Sequence, residues 1–576
     1  MDKPLSITEC REFFQRPENP RHRQYEALRV YYLEELSSGE VAKRFGYSPA
    51  SFRVLCYKFR RERDRQFFVQ PPRGPKSQPK KSVAREQIIA MRKQNRSIYE
   101  ISQALKAQGI PLSSTAVSEV LKAEGFARLQ RRLEEERTPG PTPTVEDIAD
   151  VRSFSLEPAE FSTVCGGLFL FIPDLVRLGT NTMAEAARLP GSQMIPADHA
   201  LRSSLALKLW SIERKSHIMP LVTDQGLALF AGLNAIPKRS YLSEYSNRID
   251  HLKTTRLLAA WQQAVTQTDL LDGSSFNLDF HSVPYFGEHP VVENHYVAMR
   301  SRGQPSALVF LAQDAAGHSF CYSNADIRRG EERDEILRFI DFWKSTRGEQ
   351  PKHLVFDSQL TTYANLAKLN QLGITFITLR RRSRELIKEV VNLPTSAWRT
   401  VHLDVPTRKF QNPRVFEQKI TLSGCHLRQL FIQDLGHEEP TILITNDKTC
   451  THAKLITRYA QRMLIENALS DAVRFFHINA LSSAVGLKVD FDMALMVIAS
   501  GLYRLLAKRM RGYGDAQARL IFRDLIQMPA NVRVSDSGVA VHFHRRAHLP
   551  IIIASGLLEK KVAVPWWGGK TLTMTG

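Results

Sequence analysis

The 576-residue chain reads as a multidomain protein, with helical modules at the N-terminus followed by an α/β core that a β-rich insertion interrupts. Three observations predict this. Two helical triplets, each broken by turn residues, fill the first part of the chain. From Ser275 the apolar period changes from that of helices to that of strands. Between 380 and 450 further strand-like runs precede an amphipathic helix.

The first triplet covers residues 21–64. Tyr25–Leu36 has an amphipathic helical period, and Gly39–Phe45 is a short second helix ended by Gly46. Ser48 can cap a third, with Pro49 in its first turn, running to about Phe59. The spacing Glu40-Val41-Ala42-x-x-Phe45-Gly46 followed by Ser48 is that of a helix-turn-helix, whose second helix enters the major groove of DNA. Arg53, Lys58, Arg60 and Arg61 on the third helix are candidate DNA contacts. A basic linker occupies 65–84, with Lys80 and Lys81 as further candidates, because a basic arm can follow phosphates. The second triplet, 85–127, places helices near Arg85–Gln94, Ile98–Gln108 and Ser113–Glu124, with Thr115, Ser118 and Lys122 on an outer face. A Pro/Thr-rich linker fills 128–146. Residues 147–270 read as a mostly helical domain in which Gly226–Arg248 has a helix-turn-helix look, either packing on the core or adding DNA or dimer contacts.

The core is expected in two parts, 271–379 and 451–510, around an insertion at 380–450. Its first part runs strand (Ser275–Val283), strand (Ser306–Gln313), strand (His318–Ser323), helix (Asp334–Trp343), strand (His353–Asp357), helix (Thr361–Leu372), strand (Ile374–Leu379). In the insertion, Arg399–Leu403, Glu417–Leu422, Leu427–Gln433 and Thr441–Thr445 are strand-like. Tyr459–His477 is expected as one helix with Tyr459, Arg462 and Glu466 on neighbouring turns of one side. Residues 511–576 form a C-terminal region whose 531–557 stretch alternates like strands.

Asp279 lies inside the first strand, Asp357 ends another and Glu466 sits on the late helix. Several carboxylates suit hard divalent cations, which take oxygen ligands. These three acids resemble the DDE triad of a transposase with an RNase H-like catalytic core. Tyr459-x2-Arg462-x3-Glu466 is similar to the Tyr-Arg-Glu part of the IS4-type transposase signature. That signature places a lysine seven residues after the glutamate; here the position is Val473, with Arg474 next to it. The resemblance covers residues 270–510. It implies Asp279, Asp357 and Glu466 as catalytic residues and as ligands of Mg²⁺ or Mn²⁺, with two ions expected, and Tyr459 and Arg462 as supporting residues. It implies cleavage at transposon ends followed by strand transfer into target DNA, with the chain a dimer or higher oligomer on the DNA. A domesticated DNA-binding regulator that does not cut, and a DDE nuclease without strand transfer, are the alternatives. Asp314, Asp326, Asp447 and Asp471 are competing acids, and Asp447, which follows a strand run, is the main rival of Asp357. Trp398, beside Arg399 in the insertion, either packs under the insertion or stacks on an unpaired base.

Composition agrees with a nucleic-acid partner. The 79 Lys plus Arg against 59 Asp plus Glu give a net charge of +20. Eleven of those cations and two acids fall between Arg53 and Arg85. The six cysteines contain no CxxC pair, which excludes a zinc ribbon of that pattern. The apolar stretch 494–506 is too short to span a bilayer. An intracellular, cytoplasmic, DNA-associated protein is expected.

Overall fold

The computed structural model describes residues 14–15, 17, 19–61, 67, 79–94, 96–124, 126, 154, 156–285, 293–297, 302–327, 330–360, 362–404, 410–436, 440–480 and 486–576. The chain divides into two compact units, Met1–Thr142 and Pro143–Gly576.

The first unit carries α1 (Pro20–Leu33), α2 (Ser38–Arg44), α3 (Pro49–Arg61), α4 (Pro79–Lys93), α5 (Ile98–Ala107) and α6 (Ser114–Ala123). The cap residues are local and effective. Ser37 and Ser97 each close a capping box, with Glu40 and Glu100 respectively. Ser48 accepts from the Ser51 N–H at 3.1 Å, and Ser113 from the Ala116 N–H at 3.2 Å. Each triplet has its own apolar core. Leu28, Val41, Phe52 and Leu55 close the first, and Ile88, Ile101, Val117 and Leu121 the second. α4 begins at Pro79, so Lys80 and Lys81 lie in its first turn rather than in the linker; their side chains lie outside the described residues, as do residues 68–78 and 127–153.

The second unit begins with β1 (Ala159–Thr163) and the helices α7 (Ile172–Leu178), α8 (Thr180–Ala186), α9 (Ala197–Leu209), α10 (Gln225–Ala231), α11 (Arg239–Tyr245) and α12 (His251–Ala264). There follow β2 (Ser275–Pro284), β3 (Asn294–Val297), β4 (Arg302–Asp314), β5 (Ser319–Asn324), α13 (Glu335–Arg347), β6 (His353–Phe356), α14 (Tyr363–Gln371) and β7 (Thr375–Leu379). After α15 (Arg384–Val391) come β8 (Arg399–Thr400), β9 (Arg414–Leu422), β10 (Cys425–Gln433) and β11 (Thr441–Thr445). The helices α16 (His452–Gln461), α17 (Met463–Arg474) and α18 (Gly486–Arg509) complete this part, and β12 (Ala530–Val534), β13 (Gly538–Phe543), β14 (Val562–Ala563) and β15 (Thr571–Thr575) end the chain.

The large sheet has the order β3-β4-β2-β6-β7-β11-β10-β9-β8, with β5 on β4. β2, β6 and β7 are mutually parallel, while β2–β4 and β4–β5 are antiparallel. Strand, strand, strand, helix, strand, helix, strand is thus the order the chain adopts from Ser275 to Leu379, with the short added strand β3 pairing β4. The strands after residue 380 extend this sheet, because β11 bonds antiparallel to β7. α18 is apolar almost all round, and Met493, Leu495, Val497, Leu502 and Leu506 are all buried in the main core, as a helix without a polar face must be. The five-stranded sheet β1-β12-β13-β15-β14 pairs Ala159 with Val534, so the stretch read as mostly helical also contributes an edge strand to the C-terminal region.

Candidate functional site

β2 presents Ser275, Asn277 and Asp279 at the two-residue spacing of one strand face. β6 runs parallel beside it, and the register pairs Leu278 with Phe356. The residue after each is an acid, Asp279 still within β2 and Asp357 immediately past the end of β6. α16 supplies the cations. Arg458 donates from Nη1 to Asn277 Oδ1 and from Nη2 to Ser275 Oγ, both at 2.8 Å. One turn on, Arg462 Nη1 donates to Asp279 Oδ2 at 2.9 Å, and its Nη2 is 3.9 Å from Glu466 Oε1. Two arginines four residues apart therefore fasten to successive same-face groups of β2. Asn277 is itself buried and held by Gln313 at 3.1 Å.

The expected single helix over Tyr459–His477 is two helices. α16 ends at Gln461 and α17 starts at Met463. The Arg462 N–H bonds to Tyr459 O at 3.0 Å and the Ile465 N–H to Arg462 O at 2.9 Å, both three residues back. Such tight turns end the regular ladder. The break lies at the residue whose side chain is tied to Asp279. It places Glu466 in the first turn of α17, on a different helix from Tyr459.

The electrostatics follow from crowding. Burial raises the Asp279 carboxyl to about 6, and Asp357 and Glu466 push it the same way against Arg462 and the Phe280 N–H. Asp279 therefore feels both of the other acids. Burial disfavours the Arg462 charge, yet Asp279, Tyr459, Asp357 and Glu466 outweigh it and hold the group above its ordinary value. Burial likewise raises Tyr459 to about 12, so it is a neutral phenol, with the Arg462 guanidinium 5.7 Å from its ring centre. Burial lowers Arg458 to about 10. Arg462 Nε is buried and has no hydrogen-bond partner among the described residues. Glu466 is the outermost acid, its side chain 53% exposed against 18% for Asp279.

The donors suit a divalent cation in kind, being oxygen-only and mutually repulsive. Among the described residues, no three His, Cys, Asp or Glu side chains converge as a metal shell. Arg462 is the cation that stands at Asp279 in this arrangement.

Three of the four competing acids, Asp314, Asp447 and Asp471, are held by backbone N–H groups. Asp314 accepts from the Gly273 and Gly317 N–H groups at 2.8 and 2.6 Å, and Asp471 from Ala518 at 2.8 Å. Asp447 folds back on Thr449 and Cys450 at 2.8 and 2.9 Å. Val473 packs against the main core and Arg474 is exposed. Trp398 is half-buried, 6.3 Å from Phe416, and packs on the small cluster of Val390, Phe431 and Ile442. Sequence reasoning passed over Arg458 and Asn277. Their signal is the spacing Arg458-x3-Arg462-x3-Glu466 and the alternation Ser275-x-Asn277-x-Asp279.

In the first unit, Arg53, Lys58, Arg60 and Arg61 are exposed on α3, and Thr115, Ser118 and Lys122 on α6. Arg60 is committed to Tyr32, whose hydroxyl accepts from Nε at 3.0 Å. Among the described residues no helix is long and apolar enough to cross a membrane.

No protein-family model matches the chain, and no curated protein matches it. Among solved structures it is similar to a piggyBac transposase synaptic complex with hairpin DNA, determined by cryo-EM, with a TM-score of 0.36 and 11% identity over 63% of this chain and 79% of that one. At that score the likeness establishes neither a shared fold nor an activity.

Proposed function

We propose that the chain is a DNA transposase that binds transposon ends through its N-terminal helical modules and cuts and joins DNA with Asp279, Asp357 and Glu466. The observation that carries the proposal is the placement of Asp279 in β2 and Asp357 directly after the neighbouring parallel strand β6, with Glu466 close enough to raise the Asp279 carboxyl. The strand order β5-β4-β2-β6-β7 supports an RNase H-like reading of the core. Asp279, Asp357 and Glu466 would hold Mg²⁺ or Mn²⁺, two ions being expected, and a bound ion supplies an activated water and a stabilised leaving oxygen. The protein's own groups do the positioning. Arg458 fixes α16 against β2, and the turn at Arg462 aims Glu466 toward the strand acids. Arg462 balances Asp279 and, when released from it, offers a bidentate fork suited to a phosphate. Tyr459 is neutral and bounds the site on the apolar side.

A second reading, a DNA-binding regulator that does not cut, is favoured by one observation: no three ligating side chains converge among the described residues. Incubating the full chain with its flanking DNA ends and Mg²⁺ or Mn²⁺ separates the two. Cleaved and joined products are expected. Binding without either product would establish the regulator, and cleavage without joining a nuclease.

A further inference from the structure

α3 and α6 occupy corresponding places in their triplets but present opposite surfaces. On α3, Ala50, Arg53, Val54, Tyr57, Lys58 and Arg61 are all exposed. Their three- and four-residue spacing makes one continuous stripe. It lies opposite Phe52, Leu55 and Cys56, which are buried. Val54 and Tyr57, 52% and 55% exposed, place an apolar and an aromatic side chain within the stripe. α3 carries four cations, Arg53, Lys58, Arg60 and Arg61, and no acid, whereas α6 carries Lys122 and Glu119 and is neutral overall.

Arg53 is set apart within the stripe. Its Nε donates to Pro49 O at 3.2 Å, which holds the side chain along the first turn of the helix. No acidic partner takes its terminal nitrogens among the described residues. The N-terminal part of a recognition helix is the part that meets base edges.

We infer that α3 is the base-reading helix and that Arg53 pairs with a guanine in the major groove, Lys58 and Arg61 gripping phosphates. This rests on the DNA-binding reading above. An arginine fork matches guanine O6 and N7, and small apolar groups such as Ala50 and Val54 suit a thymine methyl. Arg61, 4.6 Å from the Tyr57 ring centre, stiffens the C-terminal end of the stripe. α6, with Thr115 and Ser118 as its exposed hydroxyls, supplies contacts to the sugar-phosphate backbone that carry little sequence information.

The test is selection of the full-length chain on randomised duplex DNA, repeated for Arg53→Ala, Arg53→Lys, Lys58→Ala and a Thr115→Ala/Ser118→Ala double variant. The wild type should recover a motif with an obligatory guanine. Arg53→Ala should lose roughly ten- to a hundredfold discrimination at that one position, the worth of one bidentate pair. Arg53→Lys keeps the charge but not the planar fork, and should lose part of the discrimination. Lys58→Ala should weaken binding to all sequences alike and reduce the salt slope by about 1. Arg53 is exposed, so unfolding midpoints should not change. An Arg53→Ala chain that demands the same guanine as strongly, or a guanine preference lost only in the Thr115/Ser118 variant, overturns the assignment while DNA binding stands. A wild-type chain that binds no duplex at low salt overturns the DNA-binding reading itself.

Discussion

The arginines of the two units are used in opposite ways. In the first unit Arg53 and Arg61 lie on an exposed helix face without an acid to pair with among the described residues. In the second, Arg458 and Arg462 are largely withdrawn from solvent and bonded to Ser275, Asn277 and Asp279 of one strand. The difference teaches how the same side chain serves recognition or positioning. A solvated, uncommitted guanidinium can exchange water for a phosphate or a base at little cost. A buried one has already lost its hydration, and it fixes whatever it touches.

Separating the two roles should give the largest effects. Asp279→Asn, Asp357→Asn and Glu466→Gln should each lower cleavage by at least about 10²–10³-fold, the scale of losing one preorganised group that stabilises transition-state charge. Binding to DNA ends should stay within about threefold in a mobility-shift assay, since none of the three is proposed to touch phosphate. Near wild-type cleavage in any one of them removes that residue from the triad. Deleting residues 1–127 should do the reverse. Specific end binding should fall by about a thousandfold or more, the usual margin over non-specific binding. The second unit should remain folded, because its main core contains no residue from the deleted part. A truncated chain with an unchanged footprint would break the comparison.

The third prediction sharpens the account of paired cations. Arg428 donates from Nε and Nη2 to the Glu417 carboxylate at 2.8 and 3.0 Å, and His452 at the start of α16 joins it. The Arg428 bonds, helped by His452, lower Glu417 to about 2 against burial. A depressed acid stabilises the fold fully above its unfolded pKa and loses that contribution as pH falls toward the folded one. Glu417→Gln should therefore cost about 2 kcal/mol at pH 7, with the gap to wild type shrinking from about pH 4.5 downward. Urea unfolding at pH 7 and pH 3 measures it; an equal gap at both would show that the pairing adds no net stability.

The smallest effect is expected at Trp398. Half-buried on Phe416, it should cost about 1–3 kcal/mol on truncation to alanine, below the loss for a fully buried aromatic. Cleavage per folded molecule should also drop if the indole stacks on a base. Undiminished cleavage in a destabilised Trp398→Ala chain would leave only its packing role.

Much of the molecule was legible in the residues because its causes are local. Ser37, Ser48, Ser97 and Ser113 cap the helices that follow them within three residues. The alternation at 275–283 and the runs at 353–357 and 374–379 mark strands without reference to any other part of the chain. Asp279 and Asp357 stand out because one interrupts and the other ends such a strand pattern, and Glu466 because it shares a helical spacing with Tyr459 and Arg462.

What the tertiary structure alone decided lies in contacts between residues far apart. Nothing near Arg462 announces that α16 stops there; the turn accompanies a bond to Asp279, 183 residues earlier. Arg458 looks like an ordinary surface cation of an amphipathic helix until Asn277 and Ser275 are brought beneath it. The pairing of β1 with β12, and of β11 with β7 to extend the sheet, depend on which strand edges are left open after folding. Capping and periodicity act within a few residues and can be read directly. Register, burial and the partner of a long side chain depend on neighbours that only the folded chain supplies.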